Sequence, residues 1–129
     1  MSSLQRIAHV DDDESIRAIA KVALERIGKF TLLSCASGSE ALEKIPDFAP
    51  DIILLDVMMP GLDGPTTLKQ LREKMNFENT AIVFMTAKVQ SAEIEYYKSL
   101  GAFNVILKPF DAMGLSDQLK TYWVQFNGE

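Results

Sequence analysis

Polar residues capable of chemistry stand where apolar runs end. Ile7-Ala8-His9-Val10 leads into Asp11-Asp12-Asp13, and Ile52-Ile53-Leu54-Leu55 leads into Asp56. Ile82-Val83-Phe84-Met85 leads into Thr86, and Val105-Ile106-Leu107 into Lys108. If these runs are neighbouring parallel strands, one sheet edge gathers Asp11, Asp12, Asp56, Thr86 and Lys108. That set offers carboxylates for a hard cation, a hydroxyl and an ammonium. Each residue alone has a plainer use. Asp56 suits the cap of a turn, the Asp run suits a helix N-terminus, Thr86 suits a strand end, and Lys108 suits a solvated surface. Gathered without a cation, however, Asp11, Asp12 and Asp56 would repel one another at high cost. Asp13 and Glu14 are expected to serve the helix dipole instead.

Short, unbroken apolar runs bounded by turn residues read as strands buried on both faces. Pro50 precedes the run that ends in Asp56, and Pro60, Gly61 and Gly64 follow it. Helical spacing fills the intervals. The first helix is expected over 14–27, with an inward stripe of Ile16, Ile19, Ala20, Ala23 and Ile27 and a Gly28 cap. A strand over 30–35 follows. Ser37-Gly38-Ser39-Glu40 matches a capping box, opening a short helix with Ala41, Leu42 and Ile45 inward. Residues 46–50 read as a loop, because Pro50 and its predecessor disfavour helix.

Pro65 fits the first turn of a third helix carrying Leu68, Leu71 and Met75. A fourth helix spans 91–100 and ends at Gly101. A strand over 103–107 follows. The fifth helix starts near Asp111 and turns Leu115, Leu119, Tyr122 or Trp123, and Phe126 inward. Five strands alternating with five helices predict an α/β fold, a parallel sheet with right-handed crossovers and helices on both faces.

The 129 residues are expected to form one domain, 1–129. Apolar content of 47% and charged content of 24% are ordinary for a globular chain. A net charge of −5 argues against nucleic-acid binding by this domain, since phosphate backbones reward clustered Lys and Arg. Cys35 is the single cysteine, so it is expected to pack as a small hydrophobe in a reducing compartment. The N-terminus lacks a signal-peptide apolar core, and no apolar run approaches membrane-spanning length. A cytoplasmic location without membrane attachment is expected. His9, a lone strand histidine, is expected to be a packed or edge side chain.

The stretches VDDDESIR, DIILLDVMMPGLDG, FMTA and LKPF resemble, in order and spacing, the receiver domains of two-component response regulators. The resemblance runs from about residue 6 to 126. It implies a doubly wound, flavodoxin-like sheet of order 2-1-3-4-5. It implies that Asp56 accepts a phosphoryl group from a phosphohistidine, and that Mg2+ is the cofactor. Asp12, Asp56 and the Met58 backbone carbonyl would ligate the ion directly, and Asp11 through water. Lys108 would pair with Asp56, its peptide bond to Pro109 being commonly cis in the family. Thr86 would be the switch hydroxyl. Partners would be a sensor histidine kinase or phosphotransfer protein and a downstream effector protein, the latter meeting the face of the fourth helix, fifth strand and fifth helix.

The family usually couples the switch threonine to an aromatic residue three positions before the lysine. Here that position is Val105, and Phe103 or Phe84 are the sequence's candidates to replace it. The residues flanking the water path to the phosphoryl group correspond to Met58 and Lys88, neither suited to orient a water, so a stable phosphoryl group is expected. Two alternatives compete. A Mg2+-dependent phosphohydrolase with an aspartyl nucleophile would want a second acid two residues on, where Met58 stands. A phosphate-independent interaction module on this fold would typically have lost pocket residues that are all present here.

Overall fold

Five strands, β1 (Arg6–Val10), β2 (Thr31–Cys35), β3 (Ile52–Asp56), β4 (Ala81–Thr86) and β5 (Asn104–Leu107), form one sheet in the order β2-β1-β3-β4-β5. The computed structural model describes residues 3–87 and 90–128. All four neighbouring pairs are parallel. The helices are α1 (Glu14–Lys21), continued by a π-helical turn over Val22–Ile27, then α2 (Gly38–Phe48), α3 (Gly64–Leu71), α4 (Ser91–Ser99) and α5 (Leu115–Phe126). The doubly wound α/β architecture and its strand order are those expected.

Strand alternation divides the core into two layers. Ala8, Val10, Ile53, Leu55, Ile82 and Phe84 face α2, α3 and α4. Ile7, Ile52, Leu54, Val83, Met85 and Ile106 face the π-turn and α5. Every residue of β3 and β4 is buried, as strands covered by helices on both faces must be. Cys35 is fully buried and its thiol is pushed up to about 12, chiefly by burial, so it packs as an apolar group.

Three local expectations are corrected. First, Ile19 and Ile27 are exposed, and Ala20, Ala23 and Leu24 form the inward face. The Gly28 N–H bonds to the Ala23 carbonyl at 3.0 Å, five residues back, and Ser116 Oγ donates to the same carbonyl at 2.7 Å. This wider turn shifts the helical phase, so a stripe drawn at even α-helical spacing misses it. Second, α2 continues through Pro46 to Phe48, where a loop was expected. Proline removes a single donor in the last turn, and Ala49, in the left-handed region at φ 51°, ends the helix. Third, α5 starts at Leu115. Asp111 organises the preceding turn, its carbonyl accepting from the Gly114 and Leu115 N–H groups.

Candidate functional site

Val10 stands opposite Leu55 in the β1–β3 register, so Asp11 and Asp56 follow side by side at the carboxyl edge of the sheet. Ligands of open α/β sheets bind at this edge. Asp11 is fully buried and Asp56 is 3% exposed, whereas Asp12 is exposed. One carboxylate oxygen from each of Asp11, Asp12 and Asp56 lies within 4.8 Å of the others. Lys108 Nζ sits 2.8 Å from Asp11 Oδ2 and 2.8 Å from Asp56 Oδ1. A single ammonium thus meets two of the three carboxylates.

The loops are locked by the backbone. The Lys108 N–H donates to the Thr86 carbonyl at 2.8 Å, joining the ends of β4 and β5. The Lys108–Pro109 peptide is cis. The Asp13 N–H donates to Asp11 Oδ1 at 2.9 Å, and Arg17 donates to the Asp11 carbonyl at 2.8 Å. Asp13 itself caps α1, accepting from the Ser15 and Ile16 N–H groups. The run Asp11–Asp13 therefore splits its duties: two acids join the cluster, and the third holds a helix end.

On the other side, the Gly64 N–H donates to the Val57 carbonyl at 2.9 Å. A β-carbon at Gly64 would collide with the Asp56 carbonyl oxygen. Only glycine lets the start of α3 approach the Asp56 backbone so closely. Sequence reasoning placed Gly64 in a turn but missed this contact. Met58 lies in the loop just past β3 with its side chain 78% exposed. Lys88 lies outside the described residues.

The electrostatics follow from the geometry. Burial raises the Asp56 carboxyl above its ordinary range, Lys108 opposes this, and Asp11 adds to it. Burial acts against the Lys108 charge, yet the bonds to Asp11 and Asp56 outweigh it and hold the ammonium above its ordinary range. Apart from that ion pair, Asp11 Oδ2 has no partner among the described residues. A buried carboxylate oxygen so placed, beside two further carboxylates, is an oxygen donor set that fits Mg2+.

His9 lies two residues before Asp11, wholly buried, with neither ring nitrogen partnered among the described residues. Burial, with Asp11 opposing and Lys108 and Arg17 assisting, lowers its pKa to about 4. It is a neutral packed side chain, as expected. The folded chain binds its proton less readily than the unfolded chain, whose histidine titrates near 6.5. Stability from neutral His9 is complete above that value and is lost as pH falls toward 4, by up to about 3 kcal/mol. In urea melts with EDTA, His9→Leu is expected to lose less stability than the wild-type chain between pH 7 and 4.5. Parallel losses in both chains would contradict this origin.

Thr86 is 6% exposed and shares the strand face of Phe84, turned toward α4. The Tyr97 phenol of α4 is raised by burial first, then by Glu93, with the Thr86 side chain opposing. The Tyr97 ring packs 5.3 Å from Phe84. Phe103, by contrast, meets Tyr122 and Phe126 of α5 on the opposite sheet face. The aromatic ring packed on Phe84, on the strand face that Thr86 shares, thus comes from α4. Val105 gave no sign of this, and the single signal available in the sequence was a tyrosine pair in an otherwise polar helix.

The family described as the response regulator receiver domain matches residues 7–120. Sporulation initiation phosphotransferase F of Bacillus subtilis is 34% identical over 92% of this chain and 93% of its own length. The alkaline phosphatase synthesis transcriptional regulatory protein PhoP of the same species is 38% identical over 90% of this chain, and the transcriptional regulatory protein CseB of Streptomyces coelicolor is 31% identical over 98%. The chain spans about half the length of the latter two, 47% and 52%. Among solved structures, chemotaxis response regulator CheY4 of Vibrio cholerae superposes with a TM-score of 0.84 at 28% identity, covering 93% of this chain and 99% of its own.

Proposed function

Because this chain belongs to the response regulator receiver domains, the phosphorylation-activated switches of two-component signalling, we propose that Asp56 is its phosphoacceptor, with Asp11, Asp12, Thr86 and Lys108 completing the pocket. The observation that carries this reading is the pairing of Lys108 with both Asp56 and Asp11 at 2.8 Å beside a third carboxylate.

Lys108 holds one oxygen of Asp56, and the other oxygen attacks phosphorus. The phosphorus–nitrogen bond of a phosphohistidine breaks, its imidazole leaves with the bonding pair, and an aspartyl phosphate forms. Burial makes the Asp56 carboxylate more basic than a solvated one, and Lys108 keeps it ionised and positioned. After transfer the Lys108 ammonium moves from a carboxylate partner to a phosphoryl oxygen, and the Thr86 hydroxyl gains a charged acceptor. Asp12, Asp56 and the Met58 carbonyl would hold Mg2+, supported by Asp11. When bound, the ion neutralises negative charge on the phosphoryl oxygens, the dominant need in phosphoryl transfer. The chain acts on no substrate beyond its own phosphorylation and dephosphorylation. Receiver domains meet histidine kinases or phosphotransfer proteins and effectors. In this chain the effector is proposed to meet the face of α4, β5 and α5, as the family resemblance implies.

Incubation with Mg2+ and acetyl phosphate, followed by intact mass, tests the reading. One added phosphoryl group, lost on mild base, is expected. A mass unchanged in Mg2+ but shifted in EDTA would refute it. The split of the Asp run makes a finer test. Asp12→Ala is expected to weaken Mg2+ binding at least about tenfold, since each lost carboxylate removes a directly charged ligand. Asp13→Ala is expected to leave Mg2+ affinity within about twofold while costing about 1 kcal/mol of stability, the worth of a helix cap. The reverse ranking would shift the ligand register by one residue.

A further inference from the structure

α3 and α4 leave between them an open groove of about 360 Å3 that shares no residue with the acidic cluster. Leu68 and Leu100 give it an apolar floor, and Lys69, Arg72 and Tyr96 stand exposed around it. Its charge runs against that of the chain. Asp and Glu outnumber Lys and Arg by 18 to 13, yet both charged side chains lining the groove are cations. Neither has an ion pair among the described residues. Glu73 follows Lys69 by four places, the spacing of a helical pair, and does not close on it.

Arg72 is held in place although it is exposed. Its Nη2 donates to the Leu100 carbonyl at 3.1 Å, and its guanidinium lies 5.0 Å from the centre of the Phe77 ring. Gly101, at φ 106°, leaves room for it, since a β-carbon there would collide with Arg72 Nη2. A guanidinium fixed in this way has less side-chain freedom to lose when its remaining N–H groups meet a carboxylate. Tyr96, 55% exposed, offers the opposite chemistry, an aromatic surface beside the leucine floor. A small anion would use the two cations and leave this apolar part wet. Tyr and Arg around an apolar floor are what the centre of a protein interface uses.

We propose that the α3–α4 groove is a docking site for an acidic helical segment of a partner protein, with Lys69 and Arg72 binding two of its carboxylates and Tyr96, Leu68 and Leu100 covering an apolar side chain between them. Lys69 and Arg72 are three positions apart on α3, about 4.5 Å along its axis, which matches acids one turn apart on the partner. The groove stands open in the unphosphorylated chain, so this docking needs no phosphoryl group.

A short synthetic helical peptide with repeating Glu-Leu-Leu-Glu units is the probe, and the same peptide with Lys for every Glu is its control. Amide NMR titration of the whole chain is expected to show shifts over 65–72 and 96–101 with the acidic peptide and none there with the basic one. Arg72 also holds the Leu100 carbonyl, so Lys69, which holds no other group by an ion pair, is the position to change. Lys69→Glu is expected to weaken the acidic peptide about tenfold and to gain binding of the basic one, because like charges then face each other in one case and opposite charges in the other. Lys21→Glu, the same charge change on α1, is expected to stay within about twofold of wild type. Equal losses in the two variants would reduce the effect to net charge and overturn the proposal. So would shifts confined to other faces, or ATP producing the same shifts at lower concentration than the peptide. Self-association of the chain through this face, seen in sedimentation, would replace the partner segment with a second copy and likewise overturn it.

Discussion

Asp56→Asn is expected to abolish phosphoryl incorporation from acetyl phosphate, a loss of at least about 100-fold, or about 2.7 kcal/mol of barrier. The amide fills the same space at the end of β3 but carries no nucleophilic charge. The neighbouring acids are poor substitutes. Both oxygens of Asp11 are engaged, one by the Asp13 N–H and one by Lys108. Asp12 is exposed and carries no ion pair with Lys108 among the described residues. Fold should be retained, because the substitution removes a charge from a cluster with excess negative charge. Circular dichroism and intact mass, measured together, make the check. Full, acid-stable labelling of Asp56→Asn would place the acceptor elsewhere, since an acyl phosphate is labile and a phosphoserine is not.

The second large effect is expected at Lys108. Its side chain is 15% exposed, and those of Asp11 and Asp56 are 0% and 5% exposed. Lys108→Met keeps the length of the stem and removes the ammonium. Two buried carboxylates then face each other and Asp12 without a counter-charge. Breaking a buried pair from one side costs about 3–5 kcal/mol, far more than the pair itself contributes. At pH 7 in EDTA, urea melts should show a loss on the order of 3 kcal/mol. The sign of the pH dependence follows. Asp56, already raised by burial, loses the ammonium that opposed the shift, so the penalty grows as pH rises and shrinks in acid. Mg2+ should restore part of the loss by taking the place of the missing positive charge, while phosphoryl incorporation stays depressed. A variant within about 1 kcal/mol of wild type at pH 7 in EDTA would show that Lys108 does not hold this cluster together.

Much of this was legible along the chain, because burial on both faces demands unbroken apolar runs. Ile52–Leu55 and Ile82–Met85 announced themselves as central strands, and every one of those residues is buried. The polar residue ending each run marked the functional edge. Capping chemistry is equally local. Ser37 accepts from the Glu40 N–H, Glu40 bonds back to the Ala36 N–H, and Asp63 caps the helix that Pro65 opens. These features need only neighbours in sequence, so composition and spacing sufficed to find the strands, the Ser37 cap and the acids, though the Asp63 cap was missed.

Tertiary structure decided what depends on partners far along the chain. Alternation of strands and helices did not dictate that β1 lies against β3, yet that pairing sets Asp11 beside Asp56. The widened turn after α1 is held by Gly28 and Ser116, 88 residues apart, which both bond to the Ala23 carbonyl, and Ile27 at its end lies exposed. Helix α2 runs through Pro46 because burial of Ala41 and Ile45 against the sheet outweighs one missing hydrogen bond in its last turn. Tyr97 is the strongest case. Its helix has little apolar periodicity to reveal an inward face. Its inward packing appears only when Phe84 and Val105 join it in one cluster. Local sequence sets each segment's propensity and the residues at its ends. The pairing of distant segments sets which of those residues meet, because contact energies between them do not exist until the sheet is assembled.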